Sequence, residues 1–446
     1  MRRHPKKANI FIIFNFILIS VVGLIAIYSA SQFEGISSKL PAAFIKQIIW
    51  VVLGLSMMLI LSQIDYDVFQ KLSWVLYGIM LLALVLVLIK GDANRRWINL
   101  GVLKMQPSEF VKIPFIMVIA SYLANKPIGA AQTTILDELK FIIISGVITV
   151  IPMLLILIEP DLGSSLIFPV ILLGILFTAN INFNLLAVFI FLAAATGTAL
   201  IFEVLWLENV TDISPFLYKT LVMIKENLGI FLSMLLVLAG IMIVAFIFTI
   251  TGFKVNYAAI IIIWIVITVG FGIGTKMGKF IKPYQRDRIM TFIKPGFDTK
   301  GSGWNVFQSR IAIGSGMTSG KGFLKGTQHR FKFLPERHTD FIFSVIGEEF
   351  GFIGGTFLII LYLILIIQIF LVSLYSNSVF GKLMAAGILF LFIFHIIENI
   401  GMAIGILPVT GLPLPLVSYG GSSFLSFSAA LGIILNISKQ SSISQD

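Results

Sequence analysis

The chain has 446 residues, of which 58% are hydrophobic and 12% charged. Its mean hydropathy of +1.01 excludes an ordinary soluble globular protein, whose charge density is about twice as high. It has no cysteine, so disulfides and cysteine-ligated metal centres are excluded, and a formal net charge of +11 fits either an anionic partner such as nucleic acid or the basic inner loops of a membrane protein.

Arg2, Arg3, Lys6 and Lys7 precede the first apolar run, Ile10–Tyr28. That order predicts an uncleaved membrane helix with a cytoplasmic N-terminus. Phe44–Leu61 and Trp74–Ile89 follow as second and third spans, with Asp65–Lys71 inside between them. These runs lack period-two alternation and must close their own backbone hydrogen bonds in lipid, so they predict α-helices. Past the third span come Asp92-Ala93-Asn94-Arg95-Arg96-Trp97-Ile98 and then Gln106-Pro107-Ser108-Glu109-Phe110-Val111-Lys112. Trp97 is either an interface anchor or a site residue. Ser108 has the chemistry of an N-cap. Glu109 and Lys112 share one helix face. Lys112 lies within the fourth run, Phe110–Leu123, where an ammonium needs a partner or a polar cavity. Glu109 is either simply that partner or part of a site.

The fifth and sixth spans, Phe141–Ile158 and Ser165–Ala179, are joined outside by the turn Glu159-Pro160-Asp161-Leu162-Gly163-Ser164-Ser165. Leu185–Phe202, Leu228–Ile250 and Tyr257–Ile273 are the seventh to ninth. On this count Lys126–Lys140, Asn180–Asn184 and Thr251–Lys254 fall inside, and Lys276–Asp340 falls outside. That last stretch carries thirteen Lys or Arg against four acids, a net of +9. Long loops are exempt from the positive-inside rule. The charge therefore either holds the loop to anionic headgroups or forms an outward site for a phosphorylated, lipid-anchored ligand. The Gly314–Gly322 run has a superficial likeness to a phosphate-binding P-loop. Ser315 stands where the first glycine belongs, however, and Gly322 where the magnesium-binding hydroxyl belongs. A flexible turn is predicted instead, with amides able to cradle an anion.

Glu336, Arg337, His338 and Asp340 form the densest ionisable cluster, at the entrance to the tenth span, Phe341–Val372. Desolvation favours a protonated Asp340, and the neighbouring cations favour the charged form. A general base and a helix N-cap are both open. In the eleventh span, Leu383–Ile404, His395 and Glu398 stand three apart and suggest a polar pair facing the bundle interior. Gly405–Ser423, with Pro408, Pro413 and Pro415, must be irregular backbone that is buried or lines a cavity. Phe424–Ile437 is the twelfth span; the Ser373–Lys382 loop and the tail with Lys439 lie inside. The fold class is an all-α, polytopic membrane helix bundle, read as a single integral membrane domain over residues 1–446. The scattered histidines have no metal-binding spacing, and nothing points to nucleic acid.

At these motifs the chain resembles the SEDS family (shape, elongation, division and sporulation), and within it the RodA branch. The matching stretches are Tyr284–Ile289, Gln308–Gly316, Gly326–Gln328, Leu334–Phe343, Gly347–Glu349 and Gly405–Ser423, with Arg96–Ile98 and Gln106–Lys112 in the first half. They occur in family order over most of the chain. Arg337 resembles the elongation branch; the division branch, FtsW, usually has a small residue there. The resemblance implies an inverting peptidoglycan glycosyltransferase of the bacterial cytoplasmic membrane, with both termini cytoplasmic and the site facing outward. It would polymerise lipid II beside a class B penicillin-binding protein that crosslinks the strands. It further implies that Asp340 is the essential base and takes the proton of the acceptor's 4-hydroxyl. Undecaprenyl pyrophosphate would then leave, and Lys and Arg groups would stabilise its charge. Glu109 and Lys112 match cavity-lining residues, and Arg96, Trp97, Arg286, Arg337 and His338 are expected to contact substrate. A divalent cation, Mg or Mn, is a further expectation, although no acidic cluster announces one. Relatives have ten spans; here Glu203–Phe280 reads as an insertion with two extra hydrophobic segments. Three rivals stand beside this reading: a flippase for the same lipid, an FtsW-like division paralogue, and a scaffold that only recruits an enzyme.

Overall fold

A computed structural model describes residues 5–32, 40–91, 96–99, 104–125, 135–207, 238–243, 249, 257–278, 281–294, 301–328 and 333–443. The chain divides into two compact units, one of Met1–Ile181 with Asp298–Asp446, the other of Asn182–Phe297. The first begins with α1 (Pro5–Ser31), α2 (Ala42–Leu61), α3 (Tyr66–Lys90), β1 (Ile98–Asn99), β2 (Lys104–Met105), α4 (Pro107–Phe110), α5 (Lys112–Ala124), α6 (Ile135–Ile158) and α7 (Leu162–Thr178). The second holds α8 (Phe183–Leu207), α9 (Tyr257–Gly278) and α10 (Pro283–Ile293). The first then resumes with α11 (Ser302–Ser315), α12 (Ile342–Tyr375), α13 (Val379–Ile404) and α14 (Gly421–Ile443).

Among the described residues ten helices are long and apolar enough to cross a membrane, and α7 is a shorter apolar helix. Eleven of the twelve expected spans correspond to these helices. The remaining one, Leu228–Ile250, lies mostly outside the described residues. An antiparallel pairing of Ile98 with Met105 and Asn99 with Lys104 was not expected; two-residue strands are too short to leave a periodic signal.

In the first unit α4–α5, α13 and α14 are buried over most of their length, whereas α2 and α3 bury only a small share of theirs. The centre is therefore α13, packed against α5, α7 and α12, with α14 against α1 and α2. Buried polar side chains tie helices where lipid offers no competing partner. Asn15 Nδ2 donates to the Leu361 carbonyl at 3.0 Å, and the Tyr77 hydroxyl donates to the Ile148 carbonyl at 2.6 Å.

Helix α12 is broken at Gly351, whose φ of 63° and ψ of −158° suit glycine alone. The break frees backbone groups in a buried place, and the Gly314–Gly322 segment takes them up. The Lys321 and Gly322 amides donate to the Glu348 and Glu349 carbonyls, both at 3.0 Å. In return, the Phe352 and Ile353 amides donate to the Met317 and Thr318 carbonyls at 2.8 and 3.1 Å. These bonds correct the expectation of a flexible turn with amides open to an anion: those of Lys321 and Gly322 are engaged in holding a helix break. The Glu348 carboxylate completes the clip, accepting from Lys321 Nζ at 2.7 Å and from the Thr327 amide at 2.6 Å.

In the second unit α8 runs along α9. The Tyr284-Gln285-Arg286-Asp287-Arg288 run forms helix α10, with Gln285 Oε1 accepting from the Lys282 amide at 3.1 Å to close its first turn. Met290 packs there against Val204 and Leu205.

Candidate active site

One end of the first unit gathers nearly every polar motif singled out from the sequence. The Leu334–Asp340 turn leads into α12, whose N-cap is Phe341, and no side chain caps the helix. Asp340 stands one residue before that position. Its backbone carbonyl accepts from Asn399 Nδ2 at 2.8 Å, and the same amide nitrogen donates to the Leu412 carbonyl at 2.8 Å. Asn399 thus staples the Asp340 turn to the irregular loop that follows α13. Two more bonds join the same pieces: the Ser418 hydroxyl to the Thr339 carbonyl at 2.6 Å, and the Tyr419 amide to the His338 carbonyl at 2.9 Å. Gly411, with φ of 78°, faces the carboxylate; a methyl group built on it would sit 3.2 Å from Asp340 Oδ2.

Below this turn lies a buried ion pair. Glu109 and Lys112 are 3% and 1% exposed, and their side chains meet at 2.7 Å. Such a pair persists only with good geometry and further hydrogen bonds. Lys112 Nζ also lies 3.2 Å from His395 Nε2, and His395 Nδ1 lies 3.2 Å from the Pro413 carbonyl. His395 and Glu398, expected as a pair, instead serve different partners. Glu398 Oε1 accepts from the Thr410 hydroxyl at 2.7 Å. Three residues apart, the two side chains project from α13 toward successive parts of one loop. Ser108 is not an N-cap either. Gln106 holds that position without a side-chain bond, Pro107 supplies the first helical residue, and the buried Ser108 hydroxyl has no partner among the described residues.

The other predicted positions divide. Arg96 Nε donates to the Glu159 carbonyl at 3.1 Å, and its terminal nitrogen donates to the Pro160 carbonyl. Asp161 caps α7 through the Ser164 amide at 3.1 Å and accepts from Gln106 Nε2 at 3.2 Å. Trp97 is half-buried just before β1. Arg337 is buried and donates to the Ala30 carbonyl at 2.7 Å, closing the C-terminal end of α1. His338 packs beside the Tyr419 ring at 5.6 Å. Burial pushes His338 below the ordinary imidazole value; the Arg337 charge adds to this and Glu336 opposes it. It therefore lends Asp340 no full positive charge near neutral pH. Arg286 lies on α10, in the second unit. Among the described residues no three His, Asp or Glu side chains converge, so these residues do not fit a protein-held divalent cation. Asn399 and Thr410 join this polar network without having been singled out, and Gln106 was quoted only as the start of its cluster. A lone amide in an apolar helix was the available signal for Asn399, by the rule that drew attention to His395.

The arrangement can do specific chemistry. A carboxylate on a turn held by hydrogen bonds to its backbone faces an irregular loop at Gly411, which suits proton abstraction from a hydroxyl. The family model described as "Cell cycle protein", FTSW_RODA_SPOVE, matches residues 9–219 and 211–443. Peptidoglycan glycosyltransferase RodA of Treponema pallidum is 33% identical over 428 residues, covering 93% of this chain and 94% of its own. Peptidoglycan glycosyltransferase MrdB of Escherichia coli K12 is 31% identical over 414 residues, covering 92% and 90%. Among solved structures, a chain of a peptidoglycan synthase complex superposes with a TM-score of 0.63 at 24% identity, covering 96% of this chain and 97% of its own. The rod shape determining protein RodA of Thermus thermophilus superposes with a TM-score of 0.56 at 22% identity, covering 96% of each chain. These two likenesses bear on the fold.

Proposed function

The chain belongs to the FtsW, RodA and SpoVE family of cell cycle proteins and is a multi-pass bacterial membrane peptidoglycan glycosyltransferase, and we propose that Asp340 is the base with which it polymerises lipid II during cell elongation. The observation that carries this reading is the placement of the Asp340 carboxylate against Gly411, on a turn stapled by Asn399. A base must be held where the proton will be, and this one is held by backbone bonds on both sides.

In the proposed step Asp340 takes the proton from the acceptor sugar's 4-hydroxyl as that oxygen attacks the donor's anomeric carbon. The bond from that carbon to the pyrophosphate oxygen breaks, and the electron pair leaves with undecaprenyl pyrophosphate. A single displacement inverts the anomeric centre. Basic side chains of the 276–340 stretch stabilise the departing charge. Glu109, Lys112, Arg96, Trp97, Arg337, His338 and Arg286 are assigned to the substrate on the family resemblance. A class B penicillin-binding protein is the proposed partner. The site faces outward, with both termini cytoplasmic. Residues 203–280 are proposed as an insertion into a ten-helix core.

The test is polymerisation of labelled lipid II by purified full-length protein, with and without a co-expressed class B penicillin-binding protein. Asp340→Asn is expected to lower the rate by on the order of 10²- to 10⁴-fold with an unchanged size-exclusion profile. Glycan strands made at the parent rate would remove the proposed base. Lipid movement across vesicles without polymer would support a carrier instead.

A further inference from the structure

The mechanism above leaves His395 without a role, although it is fully buried at the centre of the polar network. Its two ring nitrogens have different obligations. The Pro413 carbonyl can only accept, so Nδ1 carries the hydrogen. The Lys112 ammonium can only donate, so Nε2 presents a lone pair. The ring is therefore neutral, in one tautomer, and each nitrogen is matched to its partner. It meets the Phe427 ring in a T-shaped contact, with centroids 4.8 Å apart and planes at 89°, which restrains the ring orientation independently of either bond.

The two partners belong to different parts of the site. Lys112 is bound to Glu109 in the buried ion pair. Pro413 follows Leu412, whose carbonyl shares the Asn399 amide with the carbonyl of Asp340. His395 and Asn399 are one helical turn apart on α13, so a single helix face grips the loop at two successive carbonyls. Through it, the ion pair and the Asp340 turn are joined by hydrogen bonds that meet on the adjacent Leu412 and Pro413 carbonyls of one backbone segment.

We propose that His395 is a positioning residue for the glycosyl transfer, holding the Lys112–Glu109 pair in fixed relation to the loop that carries Asp340 through Asn399. This rests on the reading of Asp340 as the base. His395 touches no reacting atom; it sets where two groups stand when the sugar hydroxyl is attacked. Its loss acts on the transition state more than on ground-state binding, because lipid II binding draws on many other contacts.

Full-length parent, His395→Phe, His395→Gln and Asp340→Asn are compared with lipid II as substrate, separating kcat from KM. Phenylalanine keeps an aromatic contact with Phe427 and loses both hydrogen bonds; glutamine keeps a donor and an acceptor. The expected result for His395→Phe is a kcat lower by on the order of 10- to 100-fold with KM within about twofold, and for His395→Gln recovery to within about fivefold of the parent. Parent-like kcat in His395→Phe, or equal losses in both variants, overturns the proposal, since the second pattern would mean packing alone. Where His395→Phe does not fold, His395→Gln decides: a kcat near the parent supports the proposal, and a loss of about tenfold or more overturns it. An active Asp340→Asn overturns both readings. An inactive Asp340→Asn beside a fully active His395→Phe overturns the positioning role alone.

Discussion

Glu159 is fully buried, and neither of its carboxyl oxygens has a hydrogen-bond partner among the described residues. Burial, reinforced by the Asp161 charge and opposed by Arg96, pushes its pKa up from 4.5 to about 8. The folded protein therefore keeps a proton that the unfolded chain has released between those two values. Stability from this group is complete below about 4.5 and falls as pH rises toward about 8. Glu159→Gln removes the titration, so its apparent melting temperature in detergent should exceed the parent's at about pH 8 and converge with it near pH 5. Parallel curves for the two proteins over that window would show that Glu159 is not held protonated. At this scale the sequence was only partly legible. Spacing placed Glu109 beside Lys112, because a helix puts residues three apart on one face. It could not place His395 on Lys112, 283 positions away, nor show that Glu398 turns to Thr410, because only tertiary packing decides which lone polar group faces which.

At the scale of elements, α12 and the glycine-rich run before it act as one device. A cation at Lys321 and a glycine series look like phosphate chemistry in a linear reading. Folded, they cover the interruption at Gly351 and neutralise the buried Glu348. The requirement for glycine is accordingly local. At Gly351 a β-carbon would lie 2.3 Å from the Gly320 amide nitrogen, at a φ that other residues avoid, whereas at Gly314 nothing lies within 4 Å. Gly351→Ala should cost about 1–3 kcal/mol from backbone strain alone. Gly314→Ala, within α11, should gain about 0.5–1 kcal/mol from helix propensity. Opposite shifts in thermal stability would confirm the pairing, and equal behaviour of the two variants would refute it. Helix positions themselves were readable because long apolar runs without period-two alternation can satisfy their backbone in lipid only as helices. The break was not, since a glycine inside an apolar run is common and its φ depends on what packs against it.

At the scale of the unit formed by Met1–Ile181 and Asp298–Asp446, polar contacts mark two ends, apart from interhelical bonds such as those of Asn15 and Tyr77. Arg337 reaches the last turn of α1, and Arg96 the end of α6, at the Asp340 end. At the other, Gln440 bonds Asp65 at 2.9 Å, and Lys439 bonds Gln63 at 2.9 Å. Helix α1 has 27 residues, roughly 40 Å of helix, enough to cross a bilayer. The start of α1 and the Arg337 contact near its end thus stand on opposite faces. If the basic end is cytoplasmic, Asp340 looks outward, where polymer must grow. The absence of cysteine makes this directly measurable. Lys325 and Asp67 are both exposed, the first on the segment clipped to α12 and the second in the opening turn of α3 beside Asp65. Single variants Lys325→Cys and Asp67→Cys are treated with a membrane-impermeant thiol reagent in right-side-out vesicles. Lys325→Cys should label at once, and Asp67→Cys only after permeabilisation. The reverse pattern would leave Asp340 in the cytosol, on the wrong side of the membrane for strand synthesis.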